Sequence, residues 1–334
     1  MPAGVHGTVQ VDRLLTTLSV SLADDSKNFI GPLVAPTVLM DNPGGPYPFF
    51  GREEFKLGAD DDYVADRGEA KTYEPSMSTD TYTTKGHAEK VILTVAEQRR
   101  AQKPFEVLIT PRLAEVVRRQ KRRHEIKVAT LLQTAGNYHA NNQIDIDALA
   151  NRRWDETAAT PLVDIETAIA QIELSIGEPP THMIMPRLVY NAFRNVAAVR
   201  AAIKGDKGGA IDKPAIADYF GLKAVLVGGG AVDSAKKGQA AVRGRIWNGK
   251  HCMLIYVTES PGRKVATTAY TFVWNAIEGA QDGRVVTRWF EPNLGPLGAD
   301  VARVANYHDV KAVGVDAPAT GKIISGYHIG KVIG

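Results

Sequence analysis

Residues 110–136 read TPRLAEVVRRQKRRHEIKVATLLQTAG, and this stretch decides how the rest of the chain is read. Thr110 has the chemistry of a helix N-cap, Pro111 stands where a first helical residue belongs, and Gly136 is placed to stop the helix. Between them Leu113, Val116, Val117, Val128, Leu131, Leu132 and Ala135 recur at helical spacing. The spacing predicts one helix over Pro111 to Ala135, a rod of roughly 37 Å at ~1.5 Å per residue. Its middle, Arg118 to His124, is densely basic and almost free of apolar side chains. A helix that spans more than one local core has this pattern.

Upstream, the chain to about residue 90 is poor in helix signals. Asn28 to Met40 reads as extended chain broken by Pro32 and Pro36, and Asp41 to Pro46 as a turn cluster. Arg52 to Lys85 is polar, rich in Asp, Thr and Tyr, and cannot bury enough surface to fold alone. A loop of that length inside a compact domain points to disorder or to a segment that packs on a neighbour.

Downstream, Asn137 to Asp147 reads as a linker. A second helix carries Ile165, Ala168, Ile169 and Ile172 on one face and stops at Gly177. His182 to Met185 is an apolar strand, and Pro186 opens a third helix with Val189, Phe193 and Val196. Lys204 to Lys213 is a Gly- and Lys-rich loop. Pro214 to Phe220 is a short helix stopped by Gly221, and Val225 to Val227 a strand. Strands follow over His251–Val257, Val265–Asn275 and Arg284–Glu291, and the tail from Val301 to Val332 mixes strand-like alternation with glycines.

Composition bounds the function. A 334-residue chain that is 44% hydrophobic and 23% charged can build one large or two medium cores. No stretch approaches the roughly 20 apolar residues that cross a bilayer. The start, MPAGVHGTVQVDR, lacks the basic and apolar parts of a signal peptide, so synthesis in the cytoplasm is expected. Cys252 is the only cysteine, which excludes an internal disulfide; its apolar neighbours predict a buried, inert thiol. A net charge of +3 is too slight for a dedicated nucleic-acid binder, although one basic face remains compatible with it.

Motifs for chemistry fail one by one. Gly228-Gly229-Gly230 follows a strand, but no amphipathic helix opens on it, as a dinucleotide site requires. Thr320-Gly321-Lys322-Ile323 imitates a phosphate loop, with Asp316 and Ile323 in the wrong places. His124-Glu125 starts a metalloprotease motif that Val128 ends. Asp60-Asp61-Asp62 lacks the alternating donors and turn glycine of a calcium loop. The run Arg118 to Arg123 admits two readings: a solvated helix face with Glu115 and Glu125 as local partners, or a surface turned toward a polyanion.

Taken in order along the chain, these parts resemble the major capsid proteins of tailed bacteriophages. The entry Phe29 to Val38, the polar stretch from Arg52 to Lys85, the helix from Pro111 to Ala135, and Trp154 through Pro161-Leu162-Val163-Asp164-Ile165 to Gly177 and Pro186 carry the resemblance. It implies an α+β fold of the Hong Kong 97-like type. The parts would be an N-terminal arm (1–28), a peripheral domain (29–51, 89–161 with its spine helix, and 281–334), an extended loop (52–88) and an axial domain (162–280). Arg52, Asp60, Asp61, Asp62, Arg67, Tyr73 and Tyr82 would then lie on the loop that crosses a neighbouring subunit. Lys204, Asp206, Lys207 and Lys213 would belong to the loop at the centre of a pentamer or hexamer, and Arg118, Arg119, Lys121, Arg122 and Arg123 to a DNA-facing helix.

The same resemblance implies a non-enzymatic, cofactor-free shell subunit whose main partner is itself. Further expected partners are packaged double-stranded DNA, a portal at one vertex, decoration proteins and, because only about 28 residues precede Phe29, a separate scaffolding protein unless the chain is a mature form. Its place would be the virion capsid, assembled in the bacterial cytoplasm. Two rival expectations stand beside it: an encapsulin-like compartment around protein cargo, and an α/β enzyme with a Gly-rich cofactor loop near Gly228.

Overall fold

A computed structural model describes residues 9–24, 29–49, 63–64, 68–70, 78–149, 151–204, 211–235, 238–262, 267–276, 278–316 and 321–334. The helix read from residues 110–136 is longer than expected: it runs Phe105–Gln133, 29 residues, with Pro104 at its N-cap. Thr110 is therefore not a cap. Its hydroxyl donates to the Glu106 carbonyl 2.7 Å away, inside the helix, and Pro111 sits in the second turn. An interior proline costs about 3 kcal/mol because it has no N–H for the carbonyl four residues back. That carbonyl belongs to Val107, on an exposed part of the helix where water can serve it. Burial of Phe105 and Ile109 offsets the cost, at roughly 1.5–3 kcal/mol per side chain. Gly136 does not close the helix either; Gln133 ends it and a short 3-10 turn over Ala135–Asn137 follows.

Two larger sheets organise the rest. In the first, β1 (Gln10–Val11), β13 (Arg284–Glu291), β14 (Ala299–Ala312), β12 (Ala269–Trp274) and β2 (Thr37–Met40) lie in that order, and β5 (Lys85–Thr94) pairs with the far edge of β14. The long strand β14 is the spine of this sheet, antiparallel to β13, β12 and β5. The long helix, α4, lies across it, with α1 (Arg13–Asp24) beside it and the short α3 (Val95–Ala101) leading into it from β5. The sequence reading missed α1, whose RLLTTLSVSLAD is rich in Ser, Thr and β-branched residues of weak helix propensity. Its Leu15 joins Leu93, Phe105, Ile109 and Leu113 in one apolar core. The expected extended entry is also corrected: Gly31–Val34 forms one helical turn, α2, before β2.

In the second sheet the order is β6 (Gln143–Asp145), β15 (Gly326–Gly330), β11 (Cys252–Ile255), β7 (His182–Pro186), β8 (Ala224–Gly228). β7 and β11 are buried along their whole length, which explains their unbroken apolar sequence. β7 and β8 are parallel and so need a crossover, supplied by α6 (Arg187–Phe193), α7 (Ala197–Lys204) and α8 (Lys213–Phe220). α5 (Pro161–Ile176) packs on β15 and ends at Gly177, whose φ of 74° suits glycine. Trp154 is buried in this core against Phe193, and its indole N–H donates to Asp164 in α5 at 3.0 Å.

These pairings correct the expected domain boundaries. β12, placed in the axial segment 162–280, pairs with β2 and β14 in the first sheet. β15, placed with the 281–334 return, pairs with β11 and β6 in the second. The chain thus crosses between the sheets after β11 and again after β14. The stretch 137–147, read as a linker, contributes β6.

Candidate assembly elements

The polar stretch is carried on a ribbon. β3 (Gly44–Phe49) and β4 (Ser78–Thr83) pair antiparallel, from Gly44 with Thr83 to Phe49 with Ser78, so residues 50–77 connect two adjacent strand ends. The ribbon starts earlier than the expected loop and ends before it, since Lys85 to Ala88 belong to β5. Two tyrosines fasten it: the rings of Tyr47 and Tyr82 each lie 4.9 Å from that of Phe272. Tyr47 donates to Asp80 at 2.9 Å, and Tyr82 to the Asn42 carbonyl at 3.0 Å. Burial, then Asp80, pushes the Tyr47 hydroxyl well above the usual phenol range. Tyr82, expected on a surface that crosses to a neighbour, is instead 2% exposed within its own chain. Arg52, Asp60, Asp61, Asp62, Arg67 and Tyr73 lie outside the described residues.

On α4 the basic run divides in two. Arg119 and Arg123 reach Glu89 of β5 at 3.6 and 2.6 Å. Arg118 and Arg122, one turn apart and exposed, make no ion pair among the described residues. Lys121 is half-buried. Glu125, expected as a surface partner for these arginines, is fully buried and faces the other way.

Glu125 ties three segments together. One carboxylate oxygen accepts the Trp247 indole N–H at 2.6 Å and the Ile30 N–H at 3.0 Å; the other accepts the Gly31 N–H at 2.6 Å. Burial pushes its pKa up, and the three donors pull it back. Gly31 makes room for this carboxylate: a Cβ there would lie 2.6 Å from its oxygen, and the two could not both keep their places. Ile30, Gly31 and Trp247 lie far from Glu125 in sequence, so only Glu125's place beside the basic run was visible.

Beside this knot lies a second, partly buried group centred on His308. Lys127 Nζ donates to His87 Nε2 at 2.9 Å and to His308 Nε2 at 3.2 Å. The His87 and His308 rings are 4.6 Å apart, and His124 meets His308 edge-on at 5.6 Å. Thr271 uses its hydroxyl proton on the Ala35 carbonyl, so His124 Nε2–H donates to Thr271 Oγ1, at 2.8 Å. Burial, then Lys127, pushes His124 down to about 4 and His308 down to about 2; His87 is lowered by the same causes. The buried His308 Nδ1, Asn306 Oδ1 and one Glu89 oxygen have no hydrogen-bond partner among the described residues.

Lys204 ends α7, Lys213 begins α8 in an exposed position, and Asp206 and Lys207 lie outside the described residues. After Gly228 the chain enters β9 (Ala231–Asp233), paired with β10 (Arg243–Arg245), and no helix opens on the glycines. A Cβ at Gly228 would lie 2.3 Å from the Trp247 ring. Close packing explains this glycine, which removes the basis for a cofactor loop. Among the described residues no group of three or more His, Cys, Asp and Glu could hold a metal ion, and no helix is long and apolar enough to cross a membrane.

No protein-family model matches the chain. In sequence it is 23% identical over 218 residues to a major capsid protein of Burkholderia phage BcepMu, covering 65% of this chain and 68% of that protein. In structure it is similar to a phage-related protein from Bordetella bronchiseptica RB50, with TM-score 0.74, 19% identity, and coverage of 97% of this chain and 98% of that one. A capsid protein described as putative, from a prophage of E. coli CFT073, matches with TM-score 0.58, 13% identity, and coverage of 96% and 99%. The SrpI encapsulin of Synechococcus elongatus PCC 7942 matches with TM-score 0.51, 10% identity, and coverage of 98% and 92%. The ribbon, the long helix across a sheet and the second α/β layer are together the Hong Kong 97-like fold of phage major capsid proteins, and this chain has it.

Proposed function

We propose that this chain is the major capsid protein of a tailed phage, a structural subunit that self-associates into a closed shell. The observation that carries this reading is the fold shared end to end with phage proteins, joined to the sequence likeness to a phage major capsid protein. Within it, the connection between the two strands of the β3–β4 ribbon packs on a neighbouring subunit, which gives a segment too polar to bury a core of its own a surface to cover. Pentamers and hexamers form around the connection between α7 and α8, at Lys204, Asp206, Lys207 and Lys213. Contacts of this obligate kind bury on the order of 2,000–5,000 Å².

An encapsulin-like compartment has the same fold. Arg118 and Arg122 favour a genome container, because each exposed cation without a carboxylate partner can neutralise a phosphate and release a counterion. Packaged double-stranded DNA, a scaffolding protein, a portal and decoration proteins complete the reading, with assembly in the host cytoplasm. Electron microscopy of the expressed chain, and the absorbance ratio of particles purified from an infected or induced host, test it. Icosahedral shells filled with DNA are expected. Protein cargo in place of DNA would give the encapsulin reading, and a stable dimer at high concentration would end both.

A further inference from the structure

We propose that His87, His308 and Lys127 form an acid-released latch that holds the long helix against the strand from which the β3–β4 ribbon departs. The latch is a property of the single subunit, so it goes beyond the shell reading and does not depend on it. Its geometry follows from the strand register. Lys85 pairs with His308 and His87 with Asn306, which puts all four on the sheet face that α4 covers. An ammonium donates to both Nε2 atoms only if each imidazole is neutral and carries its proton on Nδ1. Protonation would turn both acceptors into donors facing a cation.

The surroundings offer little compensation. From α4 the cluster is faced by Lys121, Arg123 and His124, from β5 by Lys85 and Glu89, from β13 by Arg284, from β14 by Asp309 and from β12 by the uncharged Thr271. Of the two carboxylates, Glu89 is held by Arg123, and Asp309 accepts the Thr83 N–H at 3.2 Å. Cations predominate, so an added proton meets repulsion.

The latch lies directly beneath the corner where β4 becomes β5. There Thr84 donates to the Pro43 carbonyl from both its N–H and its hydroxyl, at 2.8 and 2.7 Å. Releasing Lys127 would loosen the first pairs of β5, Lys85 to Glu89. Val91 and Leu93, whose side chains are buried in an apolar core, would keep the last pairs closed. One strand therefore contains both the responsive half and its internal control.

Amide hydrogen exchange on the full-length chain tests this, at pH 7 and pH 5 and corrected for the intrinsic pH dependence. Amides of residues 85–89 should lose protection at pH 5 by about tenfold or more, the factor carried by one unit of pKa difference, while those of 91–94 hold. The double variant H87Q/H308Q keeps amide oxygens as acceptors for Lys127 with no titrating imidazole on either strand, and should lose most of that response, His124 being the one titrating imidazole left in the cluster. Lys127→Met, which removes the cation that protonated imidazoles would repel, should reduce the response without abolishing it, because burial still disfavours the charged rings. Equal protection at both pH values in the wild-type chain, acid loss unchanged in either variant, or loss spread evenly over 85–94 would overturn the proposal. Because subunits that form no shell would still show the response, its failure is distinct from failure of the shell reading.

Discussion

Glu125 and the histidine group stand within one turn of each other on α4, both underneath the basic run, yet they solve burial in opposite ways. Glu125 is a carboxyl group with three donors and, among the described residues, no cation in contact. Every hydrogen bond it receives comes from another segment, so it joins the residue 30–31 turn, α4 and Trp247 at one point. The histidine group is built around a cation with two neutral acceptors, and His308 Nδ1 and Asn306 Oδ1 find no partner among the described residues. A satisfied buried network rigidifies one arrangement, whereas each unpaired buried polar atom in a partly satisfied one costs stability. The first is a structural tie and the second a point of response.

The largest effect should come from breaking the tie. Glu125→Ala leaves the Trp247 indole and two backbone N–H groups without their acceptor, at about 1–3 kcal/mol for each stranded donor. A loss on the order of 3–5 kcal/mol in urea unfolding of the dissociated subunit is expected, with Glu125→Gln losing less because its amide oxygen still accepts. Gly31→Ala should cost about 1–3 kcal/mol by overpacking, since its new methyl would lie 2.6 Å from the carboxylate. In the Glu125→Ala background the same change should cost much less. Additive losses would mean that Gly31 is not there to make room for Glu125.

Acid separates the two sites by sign. His124 and His308 have folded pKa values below the ordinary 6.5. Their contribution is therefore complete above pH 6.5 and lost as pH falls toward their folded values, by up to ~1.4 kcal/mol per pH unit for each histidine. Glu125 is raised, so its protonation on acidification favours the folded state and opposes that loss. Between pH 6.5 and 4.5 the Glu125→Gln variant should lose stability more steeply with falling pH than the wild-type chain. A parallel or shallower slope would show that Glu125 takes up no proton in that range.

The contrast also explains what could be read without coordinates. Periodicity found α4 because its apolar ends serve two different cores, and the bland middle was correctly seen as a bridge. Capping rules then misplaced its start, because local chemistry at Thr110 and Pro111 was overruled by burial of Phe105 and Ile109. The ribbon was legible as a polar stretch but not its anchors: Tyr82 was grouped with the loop by nearness in sequence, although Phe272 holds it. Neither site is visible in sequence, since each joins residues distant along the chain, such as Glu125 with Ile30 and Lys127 with His308. His87, His124 and His308 look scattered in sequence because strand register joins the first and last, and the packing of α4 on that sheet adds His124.

The smallest effect concerns the outer side of the same turns of α4. Arg119 and Arg123 are tied to Glu89 at the rim of the histidine group, while Arg118 and Arg122 are not tied to any described carboxylate. Replacing Arg118 and Arg122 by Gln should change subunit stability by less than about 0.5 kcal/mol, as for surface positions generally. If these two face the packaged genome, the same pair should reduce DNA affinity and lower the slope of log K against log salt by nearly two, one for each phosphate no longer neutralised. Arg119→Gln with Arg123→Gln should show the reverse balance. The salt slope should move less, because Glu89 already neutralises part of that charge, and stability should fall by up to about 1 kcal/mol with the exposed ion pairs. Equal salt slopes for the two pairs would mean that Glu89 does not set apart the arginines available to a polyanion, and that the basic run acts as one solvated face.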